Sequence, residues 1–147
     1  HQLKRPKWNT LDENVKGIID YDDFKNSLML NIASANPLYY YGSRKANLIH
    51  GQLRMHCSNL KAHLFELHVS DDPECICSNG IEDNHHFFLD CSLYYTHRLK
   101  LQNIVNNTHG QFTLDTLLYG DINLDFQQNC IIFEAIYDFI ISCGRFN

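Results

Sequence analysis

With 147 residues, 44% of them hydrophobic, the chain has the length and apolar content of one ordinary folded domain. A formal net charge of −5 excludes binding to nucleic acid through overall charge, so any such contact must come from a local patch or a neighbouring region. The most apolar run, Ile131 to Ile141, is interrupted by Glu134 and Asp138 and is shorter than the ~18 residues a membrane span requires, so no membrane partner is expected.

Residues 1–9, HQLKRPKWN, are read as a basic N-terminal arm that ends on the aromatic anchor Trp8, either a solvated tail or a phosphate-contacting segment. Because the first residue is His1 rather than Met, the chain is expected to be an excised or processed piece of something longer. From residue 10 to 147 a single, mainly α domain is expected, with a zinc-knuckle hairpin-helix unit embedded at 73–92.

Asp22 and Asp23 precede FKNSLMLNIA, where acidic groups favour a helix N-terminus more than they suggest a catalytic carboxylate pair. Phe24, Leu28, Ile32 and Ala35 form the stripe of that helix, which ends near Pro37. Tyr39 to Tyr41, followed by Arg44 and Lys45, suit stacking on single-stranded bases or packing with a wet hydroxyl edge.

Gly42 or Ser43 caps the next helix, with Ala46, Ile49 and Leu53 towards the core and Ser43, Asn47, His50 and Arg54 on the opposite polar face. His50 and Arg54, one turn apart, read as a phosphate-facing pair or as an ordinary solvated face. Together with Arg44, Lys45 and Lys61 they are the candidate nucleic-acid contacts. A second short helix is expected after Ser58, with Leu60, Leu64 and Leu67 on one side, until SDDPE breaks it at Pro73.

The segment from Cys75 to Cys91, CICSNGIEDNHHFFLDC, gathers three cysteines and two histidines in the pattern Cys-x-Cys-x8-His-x4-Cys. Thiolate and imidazole in such spacing are the ligands of a tetrahedral structural zinc site. Cys75, Cys77 and Cys91 supply three of them, and His85 or His86 the fourth. Asn84 reads as the cap of a helix that carries His86 and Cys91 on its first turns and turns His85 away. One structural Zn²⁺ per chain is expected, with all positions filled by protein and none open to substrate.

Beyond Cys91, LYYTHRLKLQNIVNN reads as a helix with Leu93, Leu101 and Ile104 inward and His97, Arg98 and Lys100 on a modest basic face, stopped by Asn106, Asn107 and Gly110. TLDTLLYGD is a short helix or turn ending at Gly120. Phe126 to Ser142 is the last helix, with Phe126, Cys130, Phe133, Tyr137 and Ile140 on one face and enough apolar residues elsewhere to be buried on more than one side. Cys57, Cys130 and Cys143 lie in apolar surroundings as reduced thiols, so an intracellular location, cytoplasmic or nuclear, is expected.

The order of WNTLDENVK, FKNSL, NLIHGQLRMHCSNLKAHLF, the cysteine-histidine segment, TLLYGD and a phenylalanine-rich helix ending in Arg145-Phe146 resembles the C-terminal zinc-knuckle region of non-LTR (LINE-type) retrotransposon reverse transcriptases. The resemblance spans Trp8 to Phe146 and is most specific over Asn47 to Tyr94. It implies that His86, which precedes Phe87, is the ligand rather than His85. Two departures stand out: Ser78-Asn79-Gly80 replaces an immediate glycine, and Ser92 replaces a proline.

The family implies a non-catalytic accessory domain that holds RNA or DNA during target-primed reverse transcription, beside an upstream polymerase region of the same protein. The Asp22-Asp23 pair in YDDF lacks the hairpin of alternating strands that a polymerase box requires, so no enzymatic role is expected of this chain. The other reading is a structural or protein-interaction module, such as a domesticated retroelement fragment, with its homo-oligomeric state open.

Overall fold

The structure, a computed structural model, describes residues 43–147, which lie within one compact unit spanning 41–147. The basic arm at 1–9, the helix expected around 24–35 and the tyrosine run at 39–41 lie outside the described residues. The fold is mainly α, as expected. Its helices are α1 (Arg44–Arg54), α2 (Lys61–Glu66), α3 (Tyr95–Asn107), α4 (Leu114–Tyr119) and α5 (Phe126–Ser142), with a π-helical turn at His86–Asp90 and a 3-10 turn at Ser92–Tyr94.

Helix α5 has the bounds its sequence pattern predicts and organises the rest. Asp125 caps it by accepting a hydrogen bond from the Gln128 N–H, and the Gln128 side chain accepts from the Asp125 N–H in return. Ile132, Phe133, Ala135, Ile136, Tyr137, Phe139 and Ile140 are all buried, so the helix is wrapped on more than one side, chiefly by α3 and α1. Each large apolar side chain removed from water contributes about 1.5–3 kcal/mol, which makes this helix the main source of the core. Of the face expected to bury, Phe126, the first residue after the cap, is instead exposed.

Ser43 caps α1 through its hydroxyl, which accepts from the Ala46 N–H, and Ala46, Ile49 and Leu53 pack inward as expected. Helix α2 differs from expectation. It stops after Glu66, with Leu67 53% exposed, and buries Leu60, Ala62 and His63 rather than the Leu60, Leu64 and Leu67 stripe. A helix this short has no second turn on which Leu67 could reach the core. Helix α4 ends at Gly120, whose φ of 90° is easy for glycine, and where an added Cβ would meet Asn129 Oδ1 at 2.9 Å.

Helix α3 also differs from expectation. Leu93 is exposed on the preceding 3-10 turn, and the inward stripe runs through Tyr94, Arg98, Leu101 and Val105. The basic face therefore loses Arg98, which is 7% exposed. Among the described residues no helix is long and apolar enough to cross a membrane.

Candidate metal centre

Cys75 and Cys77 sit on a tight hairpin. Glu74 and Ile81 form a single antiparallel bridge, the Cys75 N–H donates to Gly80 O at 2.8 Å, and the Glu82 N–H donates to Pro73 O at 2.9 Å. The turn between them passes through two left-handed residues, Ser78 at φ 66° and Gly80 at φ 138°. Glycine is favoured at the second by its φ. The Ser78-Asn79-Gly80 insertion is thus accommodated as turn geometry.

The helical half of the site starts one residue earlier than expected. Asp83 Oδ1 accepts from the His86 N–H at 2.8 Å and Asp83 O from the Phe87 N–H at 2.9 Å, so Asp83 caps this turn. Asn84, expected as the cap, is buried and donates through Nδ2 to Leu53 O at 2.8 Å, tying the knuckle to the end of α1.

The turn then becomes π-helical, with the Cys91 N–H donating to His86 O at 2.7 Å. Positions five apart on a regular α-helix stand about 140° out of phase. The wider turn removes most of that offset and brings His86 and Cys91 to one side. His85 faces solvent and pairs with Asp90 at 3.1 Å.

The ligating atoms of Cys75, Cys77, His86 and Cys91 all lie within 4.8 Å of one another. Cys75 Sγ and Cys91 Sγ are 3.7 Å apart, and Cys77 Sγ is 3.2 Å from His86 Nε2. Tetrahedral bonds of about 2.3 Å would separate two sulfurs by about 3.8 Å, so the donor set fits one metal ion. Cys75, His86 and Cys91 are buried and Cys77 is partly so.

Each sulfur also receives a backbone amide from two residues ahead: Cys77 N–H on Cys75, Asn79 N–H on Cys77 and Leu93 N–H on Cys91. Amides aimed at sulfur favour the thiolate form. Against them, burial pushes the Cys91 thiol up to about 12 and raises Cys75 as well. At Cys77 burial acts the same way, but the Asn79 amide and the Cys75 and Cys91 thiols outweigh it and hold this thiol below its usual value. A pocket that disfavours thiolate charge by burial, yet supplies an amide to every sulfur, suits a bound cation that provides the missing charge.

Of the five candidate phosphate contacts, His50 and Arg54 are bonded to each other, and Lys45 and Lys61 make separate contacts. Arg44 and Lys45 are exposed on the first turn of α1, and Lys45 Nζ lies 3.5 Å from Asn147 Oδ1. Lys61 pairs with Asp72 at 2.9 Å. His50, expected on an exposed polar face, is 0% exposed.

The His50 Nε2–H donates to Leu117 O at 2.7 Å, and its Nδ1 accepts from Arg54 Nη1 at 2.8 Å. Arg54 also donates to Leu118 O at 3.2 Å. The pair therefore satisfies the end carbonyls of α4, which have no partner within their own helix, and that is why this polar face points inward.

Two interactions had no counterpart in the sequence pattern. Arg98 donates to three carbonyls around the π turn: Phe88 O at 2.8 Å, Phe87 O at 3.2 Å and Cys91 O at 2.7 Å. Arg145 pairs with the buried Glu82 through two contacts of 2.7 Å and donates to Asn59 O, while Glu82 Oε1 accepts from the Lys61 N–H. Burial raises the Glu82 carboxyl, but the hydrogen bonds from Arg145 and the Lys61 amide outweigh it and hold its pKa below the usual range. The C-terminal residues thus clip the knuckle to the start of α2. All six cysteines are unpaired.

Comparison with models of protein families, with curated proteins and with solved structures finds no match for this chain.

Proposed function

We propose that the chain is a non-catalytic accessory domain stapled by one structural Zn²⁺, belonging to a reverse transcriptase of the non-LTR retrotransposon type, in which it helps to position RNA or DNA beside the upstream polymerase region. The observation that carries the metal part is the cage of Cys75, Cys77, His86 and Cys91, which converges within 4.8 Å and draws its ligands from two local elements. Soft thiolates with one imidazole favour zinc among the common divalent ions, and four protein donors leave no coordination position for a substrate. The resemblance of the Asn47 to Tyr94 segment supports the family assignment. The nucleic-acid role falls to Arg44 and Lys45, aided by Lys61, and excludes the buried His50.

Elemental analysis of the purified chain should find one zinc, and fluorescence anisotropy at low salt should detect binding to single-stranded RNA or DNA that weakens in R44E/K45E. A metal-free folded protein would remove the first half of the proposal. Undiminished affinity in the charge-reversed variant would remove the second.

A second reading, a structural or protein-interaction module, draws support from the way this domain spends its cations. Lys61, Lys100 and Arg145 each pair with a carboxylate of the domain itself, and Arg54 and Arg98 are turned onto backbone carbonyls. Acidic residues outnumber basic ones among the described residues. The apolar excess of α5 does not supply a docking face under this reading, since most of it is consumed by contacts with α3 and α1.

A further inference from the structure

Arg98 is the least expected residue near the metal centre. It is 7% exposed, yet no carboxylate of the described residues lies within ion-pair distance of its guanidinium. Cys91 and then Asp90 act on it through space, and the Asp90 carboxylate is itself paired with His85 at 3.1 Å. A buried cation without a counter-charge costs several kcal/mol, so a fold that retains one needs something to offset it.

Carbonyl dipoles do part of this. The acceptors are Phe87 O, Phe88 O and Cys91 O, all on the turn that presents His86 and Cys91 to the site or at its exit. Phe87 O and Phe88 O are also carbonyls that a terminating helical turn leaves without internal partners, and Cys91 O accepts from the Tyr94 N–H at 3.3 Å besides. The rest of the offset is available from the centre itself, since a divalent ion held by three thiolates and one neutral imidazole carries one net negative charge. Cys91 contributes to both, with its sulfur in the cage and its carbonyl 2.7 Å from Arg98.

We propose that Arg98 is the positioning residue and the counter-charge of the metal centre, holding the His86–Cys91 turn through three carbonyls while balancing the negative metal-thiolate cluster. This rests on the reading of the cage as a divalent-metal site. A purely structural role would make the charge dispensable as long as the hydrogen bonds were replaced.

The test uses the full chain as wild type, R98K, R98Q and L101A. Leu101 is on the same helix and 1% exposed, so L101A reports what lost packing alone does. Apparent zinc affinity is measured by competition with a chromophoric chelator, and site geometry by the ligand-field absorption of the cobalt(II) form. R98Q is expected to weaken zinc binding about 10- to 100-fold, as outer-shell partners of metal ligands generally do, with R98K recovering most of the loss and L101A moving far less.

Because the loaded protein is held folded by its metal, the rate of cobalt loss to excess chelator repeats the comparison within the folded state, where R98Q should release fastest. Equal affinities and release rates for R98Q and L101A, or an R98K no better than R98Q, would overturn the proposal. A wild-type chain that takes up neither zinc nor cobalt would instead overturn the metal reading on which it rests.

Discussion

The knuckle and the junction between α1 and α4 are built from the same materials, a buried histidine with an arginine close by, and they do different work. At the junction both ring nitrogens of His50 meet a partner of opposite character: an N–H meets Leu117 O, and a lone pair meets the guanidinium of Arg54. At the knuckle, His86 Nε2 and three sulfurs, all atoms able to ligate a metal, lie within 4.8 Å of one another. Complementary atoms that close on each other form scaffolding, whereas thiols and an imidazole that converge on one point could hold a cation between them. Arginine follows the same division, since Arg54 serves the end of a helix and Arg98 serves the turn that carries ligands.

If the four residues hold zinc as proposed, the largest effect should follow from removing it. Structural zinc contributes on the order of 10 kcal/mol to the folding of small metal-binding units. Chelation, or C91S, is therefore expected to collapse the cooperative thermal transition of the purified chain and to abolish its metal content. H85A, which alters only the exposed neighbour, should leave both unchanged. A C91S protein that melts like wild type would erase the distinction between the two regions.

At the junction the expected loss is smaller and has no metal signature. H50A leaves Leu117 O without its donor and opens a cavity beside Phe133 and Tyr137, whose rings lie 5.0 and 5.6 Å from the imidazole. A cost of about 3 kcal/mol is expected in urea unfolding, with one metal per chain retained.

The same variant tests the protonation state. Burial, and then the Arg54 guanidinium, hold His50 well below its usual pKa of 6.5. The unfolded chain binds this proton near pH 6.5 and the folded chain does not. The stability contributed by neutral His50 is thus fully present above that pH and declines as the pH falls below it. His63, lowered by burial and then by His56, adds a change of the same sign. The stability gap between wild type and H50A should therefore narrow between pH 7.5 and 5.5, by at most about 1.4 kcal/mol per pH unit. Loss of metal on acidification affects both proteins and cancels in the difference. A constant gap would mean that His50 titrates normally and is not enclosed.

What the sequence made legible was local. Cys75 and Cys77 flank one residue, His86 and Cys91 share one turn, Phe126–Ser142 carries a helical apolar pattern and Gly120 ends a short helix; each signal lies within the element it describes. What it hid was the destination of polar side chains. His50, Arg54 and Arg98 were expected outward because helical periodicity sorts cations to the wet face. The carbonyls of Leu117 and Leu118, which turn His50 and Arg54 inward, lie more than sixty positions away, and no spacing rule reports them. The Glu82–Arg145 pair is hidden in the same way. The π turn is invisible for another reason: it widens a helix by hydrogen-bond choice, with no residue type marking it.

The smallest effect on stability is expected from the charges at the surface, and it bears on which of the two functional readings holds. Lys100 pairs with Asp138 at 3.0 Å and Lys61 with Asp72 at 2.9 Å, and both carboxylates are more than half exposed. Exposed pairs of this kind add little to folding, so D72N/D138N should leave the unfolding midpoint nearly where it is. The pairs do occupy two of the cations that a phosphate backbone would otherwise meet. If the domain positions RNA or DNA through Arg44, Lys45 and Lys61, releasing the lysines should strengthen binding to single strands and steepen its salt dependence by about 0.7 for each further phosphate neutralised. If the domain serves to bind protein, its own carboxylates already complete the surface, and anisotropy titrations of D72N/D138N across a salt series should match those of wild type.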